Sequence, residues 1–116
     1  MRVLDWQAVD DILVGATVMG CGGGGELAEG REFLRPVYDG GRAVTLAAPD
    51  ELPGDALVAC PYGVGGLVAG DEDFYGDRPP APEHPGALAV RALAAHAGRE
   101  VGGILTGELG GTSVAD

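Results

Sequence analysis

Gly20-Cys21-Gly22-Gly23-Gly24-Gly25 separates two segments of helical periodicity, and the reading of this stretch decides how the chain folds. Five glycines in six positions leave a single side chain, the Cys21 thiol. Glycine admits positive φ and lets a ligand or another stretch of backbone come close to the main chain. A run of this kind destabilises any regular element it interrupts, so a compensating gain is expected, either a bound ligand or a tightly packed turn. A second pair, Gly110-Gly111, follows an apolar run later in the chain. The two together predict one site assembled from two backbone loops.

Upstream of the glycine run, Asp5 is placed to cap a helix that carries Trp6, Val9, Ile12, Leu13 and Ala16 on one face and ends at Gly20. Downstream, a second helix is expected from about Gly25 or Glu26, with Leu27, Phe33 and Leu34 for burial, weakened by Gly30 and stopped at Asp39-Gly40-Gly41. Residues 43–47 read as a short strand and Pro49 to Gly54 as a turn or a single helical turn. Residues 56–60 are uniformly apolar, which predicts a strand buried on both faces. Gly63 to Glu83 reads as a mobile loop. An alanine-rich helix is expected over 86–97 and a third strand over 101–109. The order α-α-β-β-α-β predicts an α/β layered domain, a small and mostly buried sheet with flanking helices. Thr112 or Ser113 resembles an N-cap whose helix is missing. The sheet is therefore expected to lack part of its cover, as in a truncated domain or one that borrows cover from a partner.

A chain of 116 residues makes one domain, spanning 1–116. Glycine and proline, 22 and 8 residues, approach the content of low-complexity chains, but the apolar fraction of 46% and the periodic segments argue for a folded core. Much of that fraction is alanine and valine, so the core is lightly built. The net charge of −11 disfavours nucleic acid and anionic membrane as partners, because both need clustered cations. The first residues lack the basic start and apolar stretch of a signal peptide, and no run reaches membrane-spanning length. The expectation is a cytoplasmic protein whose Cys21 and Cys60 remain thiols.

The glycine run is not a dinucleotide fingerprint, since a helix rather than a strand leads into it. It is not a phosphate loop either, because Glu26-Leu27 stand where Lys and Ser or Thr belong. What remains is a nest of N–H groups from Gly20 and Gly22 to Gly25 before a helix, suited to an anion, a carbonyl oxygen or a developing oxyanion. The plainer reading is a tight helix–helix turn. Cys21, beside a helix N-terminus, is a candidate nucleophile or a small packing residue. Glu108 ends the last apolar run, where open α/β sheets place ligands, and suits a general base or a partner for a ring N–H. Its alternative is a solvent-exposed rim carboxylate. His84 and His96 share no ligand spacing, so no metal site is expected. Asp71, Glu72, Asp73 and Asp77 read as a solvated acidic loop.

Taken in order, the helix ending in Gly20-Cys21-Gly22-Gly23-Gly24-Gly25, Asp50-Glu51-Leu52-Pro53 before the strand through Cys60, the helix from Gly86 to Gly98, and Glu108-Leu109-Gly110-Gly111 resemble one known pattern. It is that of the N-terminal domain of the hydantoinase-associated family that includes S-methyl-thiohydantoin desulfurase. The resemblance implies a hydrolase-like domain acting on a small cyclic ureide or S-methyl-thiohydantoin ring, with water displacing a thiolate. It implies ligand contacts at Gly20, Gly22, Gly23, Gly24, Gly25, Gly110, Gly111 and Thr112, and catalysis by Glu108. The family's usual Thr or Ser is replaced by Cys21, and its frequent Asn after the final glycines by Thr112 and Ser113. Family members continue beyond this point into the rest of the domain and a second, largely β domain. The resemblance therefore also implies a truncated domain, completed by a homo-oligomer or a partner subunit, with two alternatives to the hydrolase: a non-catalytic accessory or binding subunit of a hydantoinase-like partner, or an inactive fragment. The cofactor is left open by these residues.

Overall fold

The computed structural model describes residues 1–63 and 83–115. The loop expected over 63–83, with its acidic residues Asp71, Glu72, Asp73 and Asp77, lies almost wholly outside the described residues.

Helix α1 runs from Trp6 to Gly20, and the Asp5 carboxylate accepts a hydrogen bond from the Ala8 amide at 2.8 Å. Such a cap stabilises a helix by about 1 kcal/mol. The i, i+4, i+7 spacing of Val9, Leu13 and Ala16 puts these three on one buried face, and Leu13 is fully enclosed. Burying a leucine to that degree contributes about 2 kcal/mol. Leu4 joins the cluster, with Leu27, Leu34, Tyr38, Val44, Val114 and Ala115 packed around it. Helix α2 spans Leu27–Asp39 and tolerates Pro36 near its end. It closes where Gly41 turns to positive φ and the Arg42 amide returns to the Val37 carbonyl at 3.0 Å.

Of the first two strands, one falls within the strand expected over 43–47, while the other, two residues at the start of the chain, escapes any periodic reading. Strand β1, Arg2–Val3, pairs antiparallel with β2, Thr45–Leu46. The Tyr38 hydroxyl ties this pair to α2: it donates to the Leu4 carbonyl at 3.0 Å and accepts from the Val44 amide at 3.3 Å. The Tyr38 ring meets Trp6 edge-on at 5.5 Å between centroids, and the Arg35 guanidinium lies over Trp6 at 4.9 Å. A single 3-10 turn follows at Pro49–Glu51.

Strand β3, Leu57–Ala59, and strand β4, Val101–Ile104, pair in parallel, with helix α3, Pro85–Ala97, as the connecting element between them. The register slips between Leu57 and Val58, leaving Gly102 as an extra residue. That is the signature of a bulge, which glycine accommodates readily. His84 caps α3 by accepting from the Gly86 amide at 3.3 Å, and its ring contacts Phe33 at 4.4 Å.

The α/β class stands, but its sheet differs from the expectation in two respects. Among the described residues there are two separate two-stranded sheets, and β3 is flanked there by β4 alone rather than buried centrally. Ala59 is enclosed, but Val58 and Ile104 are 42% and 52% exposed. The third strand also stops at Ile104 instead of reaching Leu109. A short helix α4, Gly111–Ala115, occupies the place where an N-cap was read at Thr112 or Ser113, so the helix begins before both residues.

Candidate functional site

The chain reverses direction after α1 by way of left-handed backbone. Cys21 adopts φ 49° as the C-cap of α1, and its amide returns to the Val18 carbonyl at 3.3 Å. Gly22, Gly24 and Gly25 follow with φ of 94°, 69° and 80°. The Cys21 thiol is exposed, its sulfur 3.6 Å from the Val18 carbonyl oxygen. The cysteine thus belongs to the carbonyl end of α1, not to the amide end of α2 as its sequence position suggested.

The two glycine clusters lie against each other. A methyl group built on Gly20 would sit 2.6 Å from the Leu109 carbonyl oxygen, and one on Gly24 2.7 Å from the Gly110 Cα. Gly30, buried on α2, likewise faces the Gly111 carbonyl, whereas Gly25 faces the Thr112 side chain. At Gly20, Gly24 and Gly30 the contact is main chain on main chain, closer than a side chain on the glycine would permit. Gly30, which weakens a helix in isolation, is thereby explained: it lets α2 approach the start of α4.

Hydrogen bonding across this seam has a direction. The Gly111 amide donates to the Gly25 carbonyl at 3.2 Å and the Ser113 amide to the Gly24 carbonyl at 3.0 Å. The carbonyls of the glycine run thereby satisfy N–H groups that the first turn of α4 leaves without helical partners. Within the run, the Gly23 amide is taken by the Gly20 carbonyl at 2.8 Å. The amides of Gly22, Gly24 and Gly25 donate to no described residue, and Glu26 at the N-cap of α2 supplies no side-chain cap. The carbonyls of Gly20, Gly24 and Gly25 are taken, while the amides of Gly22, Gly24 and Gly25 lie just before a 13-residue helix, whose N-terminal end favours negative charge.

The loop from β4 to α4 carries the side chains. Glu108 is exposed, and the Ser113 hydroxyl donates to its carboxylate at 3.2 Å. The Thr106 hydroxyl bridges the Glu108 carbonyl, at 2.6 Å, and the Ser113 carbonyl, at 3.0 Å. Thr112 turns its hydroxyl to the Glu29 carboxylate at 2.7 Å. Gly20, Gly22 to Gly25, Gly110, Gly111, Thr112 and Glu108 are thus brought to one region by the seam. Sequence reasoning missed Thr106, Ser113, Glu29 and Gly30. Only the hydroxyl residues flanking Glu108 carried any signal of this arrangement. Among the described residues no three His, Cys, Asp or Glu side chains group as metal ligands, and no helix is long and apolar enough to cross a membrane.

Beside this loop lies a mostly apolar cleft of about 470 Å³, lined by residues including Ile12, Leu46, Ile104 and Leu105, with Thr106 and Ser113 at a polar margin.

No curated protein and no solved structure matches the chain. A family model described as "S-Me-THD-like, N-terminal domain" does, over residues 7–115. That span includes both glycine bends, both sheet-forming strands of the parallel pair and Glu108, so the chain belongs to the S-Me-THD-like family, in the region of its N-terminal domain.

Proposed function

We propose that this domain takes part in hydrolytic displacement on a small five-membered cyclic ureide or thio-ureide of the S-methyl-thiohydantoin type. Water attacks the ring carbon that bears sulfur, a C–O bond forms, and the C–S bond breaks to release methanethiol. Of the two protons of water, one ends on the ring nitrogen and the other on the departing thiolate. The intermediate is tetrahedral and gathers negative charge, which preorganised N–H groups stabilise strongly when they are already aimed at it. The Gly22, Gly24 and Gly25 amides fill that role, and Glu108 draws the proton from water or holds a ring N–H. One observation carries this reading: the two bends lie side by side, with the amides of Gly22, Gly24 and Gly25 lacking partners among the described residues. Membership of the family supports the substrate class.

The experiment is direct. Purified chain is incubated with S-methyl-thiohydantoin and released methanethiol is measured with a thiol reagent. Turnover that falls about a hundredfold in Glu108→Gln supports the assignment. Cys21→Ser distinguishes water from the thiol as the attacking group, since loss of turnover there moves the nucleophile to Cys21. Absence of methanethiol, with or without added hydantoinase-like partner, removes the catalytic reading.

A second reading, favoured by the apolar cleft, is a non-catalytic accessory or binding subunit. Ile104 and Leu105 are 52% and 61% exposed beside that cleft, and contiguous apolar surface of this kind marks an interaction face. Self-association in size-exclusion chromatography, or strong binding of a hydrophobic dye, supports it; a compact monomer without dye binding argues against it.

A further inference from the structure

We propose that Ser113 is a positioning residue, which fixes the direction of the Glu108 carboxylate relative to the glycine run; its catalytic consequence rests on the reading above. Three contacts converge on it. The Ser113 hydroxyl donates to Glu108 Oε1 at 3.2 Å, its amide donates to the Gly24 carbonyl at 3.0 Å, and its carbonyl accepts from Thr106 Oγ1 at 3.0 Å. The same Thr106 hydroxyl reaches the Glu108 carbonyl at 2.6 Å. Side chain, amide and carbonyl of one residue therefore bind the carboxylate, the opposite bend and the loop between them. Glu108 is exposed, and an exposed glutamate left alone samples many rotamers, losing up to about 2 kcal/mol of side-chain entropy when it is held. The Ser113 hydroxyl selects among them. Because the Ser113 amide is anchored on Gly24, the selected direction is referred to the residue whose own N–H belongs to the amide nest.

The test has one arm that needs no activity. In isotopically labelled full chain, side-chain three-bond scalar couplings of Glu108 report whether one rotamer dominates. Wild type should show a dominant rotamer, Ser113→Ala an averaged set, and Ser113→Thr, which keeps the hydroxyl, a return to the wild-type pattern. The Glu26 to Gly30 resonances, unchanged in Ser113→Ala, show that the seam survives the substitution. Averaged couplings in wild type, or wild-type couplings in Ser113→Ala, overturn the proposal. The second arm is methanethiol release: Ser113→Ala should lower kcat about tenfold or more with KM nearly constant, as misplacement of a reacting group does, and Ser113→Thr should recover it. Unchanged kcat in Ser113→Ala with averaged couplings overturns the catalytic consequence. If wild type releases no methanethiol, the functional reading fails, while the couplings still decide whether Ser113 holds Glu108.

Discussion

The glycine seam and the apolar cleft share helix α4 and are organised by opposite means. At the seam, side chains are few and backbone meets backbone, with Gly20, Gly24 and Gly30 pressed against Leu109, Gly110 and Gly111. At the cleft, side chains are abundant, and while Leu4, Val9 and Leu13 at its floor are buried, Leu46, Ile104 and Leu105 at its rim are all more than half exposed. Tightness in this molecule is therefore local. The part that brings the candidate site together is specified by what the sequence omits, and the looser part is the rim of the cleft formed by Leu46, Ile104 and Leu105.

The sharpest way to break that contrast is to add one methyl group at the seam. Gly24→Ala places a Cβ against the Leu109 carbonyl at a position with φ 69°. Backbone strain and overpacking add, and the expected loss is roughly 4 kcal/mol, read as a large drop in the urea midpoint or as failure to fold. Gly22→Ala is the control, since it also has positive φ but nothing within 4 Å. It should cost only about 1–2 kcal/mol. Equal losses at the two positions would mean that conformation, not contact, explains the glycines.

Next in size is Leu13→Ala against Leu105→Ala. Leu13 is fully enclosed and should cost about 3 kcal/mol; Leu105 should change stability by less than about 0.5 kcal/mol. A large loss at Leu105 would show that the cleft side is covered in solution. Tyr38→Phe comes third. It removes the hydroxyl that joins Leu4 and Val44, at a cost of about 1 kcal/mol, with faster amide exchange at Val44. The smallest effect belongs to the paired charges of α1 and α2. The Arg31 guanidinium bonded to both oxygens of Asp10, at 2.6 and 2.8 Å, holds its carboxyl below the usual carboxylate range. The folded value is depressed, so this contribution is present above the ordinary carboxylate range and lost as pH falls through the lowered value. Asp10→Asn should lower stability slightly at neutral pH, where the pair is intact, and leave it nearly unchanged at low pH, so that the acid limb of the profile flattens.

Much of the frame was legible in the residues. Asp5 followed by apolar positions at helical spacing marks α1, and the glycine run marks its end, because caps and breakers act locally. The neighbourhood of the two glycine clusters was also readable, since two runs of bare backbone rarely have separate reasons. Their division of labour was not. Whether a glycine is pressed against Leu109, as Gly24 is, or open, as Gly22 is, depends on a contact more than 80 residues away in sequence. Strand β1 is invisible because two residues carry no period, and it exists by pairing with Thr45 and Leu46. The start of α4 at Gly111 was misjudged for a related reason: its caps are the carbonyls of Gly24 and Gly25, whereas a local reading looks for a Ser or Thr. The uniform apolarity of residues 56–60 pointed to a central strand, because composition registers burial without saying which element supplies it.

The Leu109 contribution to the seam is its carbonyl, while its side chain remains 42% exposed. Position 109 should thus tolerate nearly any residue in a saturation library, whereas its neighbour Gly110 should return only the parental codon. A screen that scored substitution tolerance alone would rank the leucine as dispensable, although its peptide group is one of the surfaces on which the bend rests.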